Sequence, residues 1–152
     1  MYRIFATPIF RMVFSCYFNA LATNTQIFMS KIIYKDESYE IVGALFDVYN
    51  NLGSGFSEIV YKDALEYEFK TRNIPFEREK SFSVRYKDIT LKHKFYADFV
   101  ILDKIILEIK SIEALNDKHL SQCINYLKVS GYRLAILANF HRDFLDHQRI
   151  VL

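Results

Sequence analysis

Phe95-Tyr96-Ala97-Asp98-Phe99-Val100-Ile101-Leu102-Asp103-Lys104-Ile105-Ile106-Leu107-Glu108-Ile109-Lys110 is the stretch on which the reading of this chain turns. Two short apolar runs, Phe95 to Leu102 and Lys104 to Ile109, flank Asp103. Their β-branched and aromatic content and the turn between them read as two strands of a hairpin, with Leu102 to Ile105 at the bend. A charge inside such a strand is costly to bury unless it is paired or holds a metal. Asp98 sits in the first run, and after nine intervening residues Glu108-Ile109-Lys110 closes the second. The period of two places Asp98 on a face with Tyr96 and Val100. It puts Glu108 and Lys110 together, opposite Ile105, Leu107 and Ile109.

Outward from the hairpin, Phe76 to Tyr86 reads as a preceding strand with Phe82, Val84 and Tyr86 alternating, and Ile89 to Leu102 as one long second strand. Short turns make the three a meander. Upstream, Ile41, Val42, Leu45, Phe46, Val48 and Tyr49 recur at helical spacing over 37–50. Asn50 to Gly55 breaks the pattern, and a second helix is expected over 57–71, with Ser57 as its cap and Glu58 in its first turn. Tyr61, Leu65 and Phe69 form its inward stripe, with Glu58 one turn before Tyr61. Tyr61 is expected in the core with its hydroxyl hydrogen-bonded, and Gly55 is expected to let this helix begin close to the sheet. Downstream, Asn116-Asp117 caps a third helix that Gly131 stops. A buried strand over 132–138 follows, parallel to an earlier strand because a helix separates them. A short terminal strand is expected at Ile150 to Leu152. The fold class is α/β: an αβββαβ core with a mixed central sheet flanked by helices and one extra N-terminal helix.

The chain of 152 residues is one domain's worth. Residues 1–28 carry Arg3 and Arg11 and no acid, whereas 29–152 carry 18 bases and 18 acids, so global charge argues for no particular partner. Within 70–94, however, eight bases stand against three acids. Such a segment could track phosphates or could be a solvated hairpin face. Residues 1–28 are read as an N-terminal extension, with Met29 as the natural start and 29–152 as the domain. Met12 to Phe18 with Ala20-Leu21-Ala22 offers a faint alternative, a secretion signal. The run is too short to span a membrane. Cys16 and Cys123 make no metal-ligand spacing, and a reducing cytoplasm is the expected setting. Zinc spacings, a nucleophile elbow and a phosphate loop are all missing from the sequence.

The element order, with Asp98 and Glu108-x-Lys110 on the second and third strands, resembles the PD-(D/E)XK, or restriction-endonuclease-like, nuclease superfamily. Gly55-x-x-Glu58-x-x-Tyr61 resembles the signature of its small GxxExxY proteins. Lys31 to Tyr39, Ile74 to Arg78 and Asn139-Phe140 match the same group. Tyr49 stands where many members have His, and Tyr96 where they often have Arg. The resemblance implies a divalent-metal-dependent nuclease acting on DNA in the cytoplasm. Asp98, Glu108 and Glu58 would hold Mg²⁺ or Mn²⁺, and Lys110 would complete the catalytic set. Oxygen donors suit such a hard cation, which would polarise the scissile phosphate; Lys110 could stabilise charge developing on it. Gln122 and Tyr126 resemble a Gln-x-x-x-Tyr pattern that helps bind DNA, and Lys92 and Lys94 would contact the backbone. No membrane role is implied, and a homodimer is left open.

Taken singly, these residues have ordinary readings. Glu58 could complement the helix dipole, Glu108 and Lys110 could be a solvent-facing pair, Asp98 could pair with Lys94, and His119 could be a satisfied surface histidine. The rival function is a binding module that keeps the fold without cleavage.

Overall fold

The computed structural model describes residues 32–152. The chain divides into Met1–Lys35 and Asp36–Leu152, and the fold below is that of the second unit. The expectations for residues 1–28, and for Met29 as a start, lie outside the described residues. The elements are α1 Lys35–Leu52, α2 Glu58–Thr71, β1 Phe76–Tyr86, β2 Ile89–Ile101, β3 Ile105–Lys110, α3 Asp117–Ser130, β4 Leu134–Asn139 and β5 Asp146–Val151. The five strands lie in one sheet in the order β1-β2-β3-β4-β5. β3 and β4 run parallel, from Ile105 opposite Leu134 to Lys110 opposite Asn139. The other neighbours are antiparallel. The helical crossover between β3 and β4 gives the mixed sheet expected from the sequence.

Helices cover both faces of the sheet. On β2, Phe99 meets Phe69 of α2, with ring centroids 5.6 Å apart, while Val100 packs with Cys123 and Leu127 of α3. Consecutive strand residues point to opposite faces, so α2 and α3 lie on opposite sides. Every residue of β4 is buried, as befits an inner strand closed on both faces. β5 is longer than the expected 150–152. Its first residues, Asp146 to Arg149, are polar and form an edge strand with no apolar alternation to announce it.

Local chemistry sets the helix ends. Asn116 accepts from the Lys118 N–H at 3.0 Å, and the His119 ring accepts from the Asn116 N–H at 3.1 Å, which makes His119 half of a capping box. Gly131 ends α3 in the left-handed region at φ 74°. At α2, Ser57 stands at the cap position, but its side chain makes no capping hydrogen bond. Gly55 is explained differently from the expectation of a close approach. A Cβ there would meet nothing within 4 Å, but φ is +101°, a backbone state that side chains disfavour.

Period two fails at one place on β2. Ala97 and Val100 belong to the same buried cluster, although strict alternation would separate them. The register of β1 against β2 continues from Arg78 opposite Phe99 to Lys80 opposite Ala97, skipping Glu79 and Asp98. Glu79 has φ 53°. Both strands therefore bend at this pair and exchange faces, so Asp98 does not share a face with Val100. Irregularities of this kind re-aim a side chain, and here the re-aimed residue is Asp98.

Candidate metal and phosphate site

Asp98 and Glu108 are brought together where β2 and β3 part. Ladder pairing between the two strands ends at Phe99 opposite Leu107. One residue further along each strand stand the two carboxylates, 8% and 2% exposed, so both need partners. Asp98 Oδ2 accepts from the Ile109 main-chain N–H at 2.8 Å. Its Oδ1 forms an ion pair with Lys62 Nζ of α2. Glu108 Oε1 accepts from Lys110 Nζ at 2.7 Å. Glu108 Oε2 is buried and has no hydrogen-bond partner. Burial, followed by the nearby Asp98 charge, pushes the Glu108 carboxyl up to about 7 against the pull of Lys110. Burial works against the Lys110 ammonium, but the Glu108 carboxylate outweighs it, and the lysine is held above its ordinary value.

Glu58 approaches from the first turn of α2. Its Oε1 accepts from the Ser111 N–H at 3.2 Å, and the Ser111 hydroxyl donates to the Phe56 carbonyl at 2.6 Å. The loop before α2 is thereby tied to the end of β3. Glu58 adds to the field that raises Lys110. Even so, among the described residues no group of three or more His, Cys, Asp or Glu side chains is gathered for a metal ion. Glu58 does not join Asp98 and Glu108 as a third converged carboxylate.

Three residues support the site from outside the candidate catalytic set. The Tyr61 hydroxyl donates to the Gly53 carbonyl at 2.9 Å and accepts from the Phe56 N–H at 3.2 Å. Its ring stacks on Phe140, with centroids 4.3 Å apart, so this core tyrosine also shapes the turn before Glu58. Asn139, fully buried at the end of β4, accepts from the Ile112 N–H at 3.0 Å and donates to the Ile112 carbonyl at 2.8 Å. It therefore fixes the chain just past Lys110. Lys62 is the third, and sequence reasoning does not single it out. The signal that could have found it is its place one turn after Glu58 on the same helix face.

Gln122 and Tyr126 meet each other on α3. Gln122 donates to the Tyr126 hydroxyl at 2.6 Å, and that hydroxyl donates to the Tyr96 carbonyl at 2.7 Å. Tyr126 is 3% exposed, so it orients Gln122 and braces β2 from within the core. Gln122 reaches an open concavity that Phe95, Lys118 and Asn125 also line. Lys92 and Lys94 are exposed on the outer half of β2. Asp98 takes Lys62 as its lysine, not Lys94.

The basic segment 70–94 divides in two. Lys70, Arg72, Arg78 and Lys80 are each bonded to acids: Lys70 and Arg78 to Glu66, Arg72 to Asp47 and Glu68, and Lys80 to Glu77 and Asp103. Among the described residues Arg85, Lys92 and Lys94 carry no ion pair.

The donor set suits a hard divalent cation. It offers two carboxylates, and one buried carboxylate oxygen has nothing to satisfy it. A second lysine on Asp98 means that, with Glu108 ionised, the two carboxylates are balanced by two ammonium groups.

Comparison with known proteins gives a match to the model of the PD-(D/E)XK nuclease superfamily over residues 35–150. No curated protein matches the chain. A solved structure titled "Crystal structure of SSO0001" is similar at 23% identity and a TM-score of 0.49, over 60% of this chain and 48% of that one. The match spans about half of that protein's length. Among the described residues no helix is long and apolar enough to cross a membrane.

Proposed function

We propose, for a chain that belongs to the PD-(D/E)XK nuclease superfamily, that it is a divalent-metal-dependent nuclease acting on DNA. Gly55, Glu58 and Tyr61 support placing it with the GxxExxY proteins. The observation that carries the reading is the buried pair Asp98 and Glu108 on adjacent strands, with Glu108 Oε2 unsatisfied. Asp98 and Glu108 would hold Mg²⁺ or Mn²⁺. When bound there, the cation supplies Lewis acidity to a phosphodiester oxygen and to the attacking water.

The chain's own residues do the rest. The Ile109 N–H holds one Asp98 oxygen in place, so the carboxylate cannot rotate away. Lys110 bonds Glu108 Oε1, which fixes that carboxylate and keeps a protonated ammonium at the site, where it can stabilise charge growing on the phosphate. Glu58, through Ser111, holds the strand end on which Lys110 sits. It is a positioning residue for the lysine or a distant partner of the metal's waters. Lys92, Lys94 and Gln122 supply contacts to nucleic acid, with Tyr126 orienting Gln122. Cleavage of both strands of a duplex would call for a second copy of the chain.

The experiment is cleavage of single- and double-stranded DNA in Mg²⁺, Mn²⁺ or EDTA by the wild type and Lys110→Ala. Metal-dependent cutting that the variant loses is the expected result. Equal cutting by both proteins would sink the assignment. A second reading, binding without cleavage, is favoured by Lys62, which already neutralises Asp98. It would be chosen if DNA is bound and never cut.

A further inference from the structure

β1 and β2 extend beyond the rest of the sheet as a free two-stranded ribbon. β2 pairs with β3 only at Phe99, Val100 and Ile101. From Lys80 opposite Ala97 out to Tyr86 opposite Ile89 it pairs, among the described residues, with β1 alone. Residues Ile89 to Lys94 are all exposed, and Tyr96 is 59% exposed.

The two faces of this ribbon differ. On one, Phe82 meets Tyr132 and Phe95 meets Tyr126, each with centroids 6.1 Å apart, joining the core beneath α3. On the other, alternation lines up Thr90, Lys92, Lys94 and Tyr96. The register sets Ser83 beside Lys94, Ser81 beside Tyr96 and Arg85 beside Thr90; between Ser83 and Arg85 it shifts, with Val84 alone standing against Leu91, Lys92 and His93 of β2, and the His93 ring lies against Phe95, 5.2 Å between centroids. Asp98 follows next on the same face, turned toward Lys62 of α2. Three bases that have no acid partner among the described residues therefore lie on a track that ends at a candidate metal ligand. At about 3.3 Å per residue, Lys92 stands roughly 20 Å from Asp98.

We propose that this face of the β1–β2 ribbon, with Arg85, Lys92 and Lys94, binds the backbone of duplex DNA beside the cut site. The inference rests on the nuclease reading and adds its substrate class and the residues that select it. Duplex is favoured over single strand because binding of single strands depends on successive aromatic platforms, and this face offers only Tyr96. DNA is favoured over duplex RNA because a two-stranded ribbon fits the B-form major groove, whereas the A-form groove is too deep and narrow. The bases of the inner half of the segment do not contribute, since acids on α1, α2 and the sheet already hold them.

The test is an anisotropy titration in EDTA, where nothing is cut. The ligands are a 20-base-pair DNA duplex (roughly two helical turns), one of its single strands, and the RNA duplex of the same sequence. Wild type is compared with the triple variant Arg85→Ser, Lys92→Ser, Lys94→Ser from about 50 to about 200 mM salt. The DNA duplex should bind tightest. The variant should bind it at least tenfold more weakly at the lower salt. The slope of log K against log salt should fall by about 2.7, or 0.9 for each of the three phosphates no longer neutralised. An unchanged affinity and slope, or no binding of any ligand by the wild type, overturns the ribbon. Tighter binding of the single strand or of RNA overturns the substrate class. Circular dichroism and melting of the variant confirm that it is folded. Calorimetric titration of the same proteins with Mn²⁺ tests the metal site independently, so a failed ribbon and a failed nuclease site give different patterns.

Discussion

Glu108→Gln should change how stability depends on pH, with a sign opposite to that of most carboxylates. In the folded, metal-free chain the Glu108 carboxyl titrates at about 7, against 4.5 for the free side chain. Between those values the folded protein holds a proton that the unfolded chain has released. Stability therefore falls as pH rises through this window. The difference of about 2.5 pH units, at about 1.4 kcal/mol each, amounts to roughly 3 kcal/mol. That contribution is fully present below pH 4.5 and gone above about pH 7. Glutamine has the same shape and no titration, so the variant lacks this slope. The variant also leaves Lys110 without its carboxylate, an offset that does not follow the titration of residue 108. Titrating groups distant from residue 108 are common to both proteins and cancel in the difference. The assay is urea unfolding followed by circular dichroism from pH 4.5 to 8 in EDTA. The expected result is a wild-type stability, measured relative to the variant, that drops by about 3 kcal/mol across the range. A difference that stays flat, or that grows with pH, would refute the view of Glu108 as a buried carboxylate short of one partner.

Two further outcomes test the supports of the site. Lys62→Met removes the cation that sits on Asp98. Calorimetry should then show Mn²⁺ binding about tenfold tighter, or about 1.4 kcal/mol, while the metal-free protein melts at a lower temperature because a buried carboxylate has lost its partner. Weaker metal binding would make Lys62 a helper of the metal instead of its competitor. Asn139→Leu should cost about 2–3 kcal/mol in urea unfolding, because both main-chain groups of Ile112 lose the amide that satisfies them. A loss below about 0.5 kcal/mol would mean that water replaces those bonds.

Much of this architecture is legible in the sequence because its signals are local. An apolar run interrupted by Asp98 or Glu108 demands a reason, since burial of a bare carboxylate is so costly, and both residues do lie buried at one place. Asn116 and Gly131 mark the ends of α3 through capping chemistry that needs only a few neighbouring residues. β5 is legible only in part because an edge strand needs no apolar alternation, and Asp146 to Arg149 have none. What stays hidden depends on pairings between distant segments. The face exchange at Glu79 and Asp98 requires two strands to bend together, and a period-two pattern read on one strand has no sign for that.

The charges make the same point in a form that bears on function. Read along the chain, residues 70–94 are a single basic run. In three dimensions, Glu66, Glu68 and Asp47 of the helices pair with Lys70, Arg72 and Arg78, and Glu77 and Asp103 pair with Lys80, so its inner half is neutralised. The outer half lies beyond the stretch where β2 pairs with β3, and among the described residues its Arg85, Lys92 and Lys94 form no ion pair. The site itself is built on the same division. Lys62 and Lys110 meet carboxylates within the fold and serve to balance them, whereas Arg85, Lys92 and Lys94 stay unbalanced on the face that leads to Asp98. A polyanion would meet along the ribbon a row of positive charge that pairs with no acid among the described residues. Following that row inward brings its backbone to the pair of carboxylates where β2 and β3 separate.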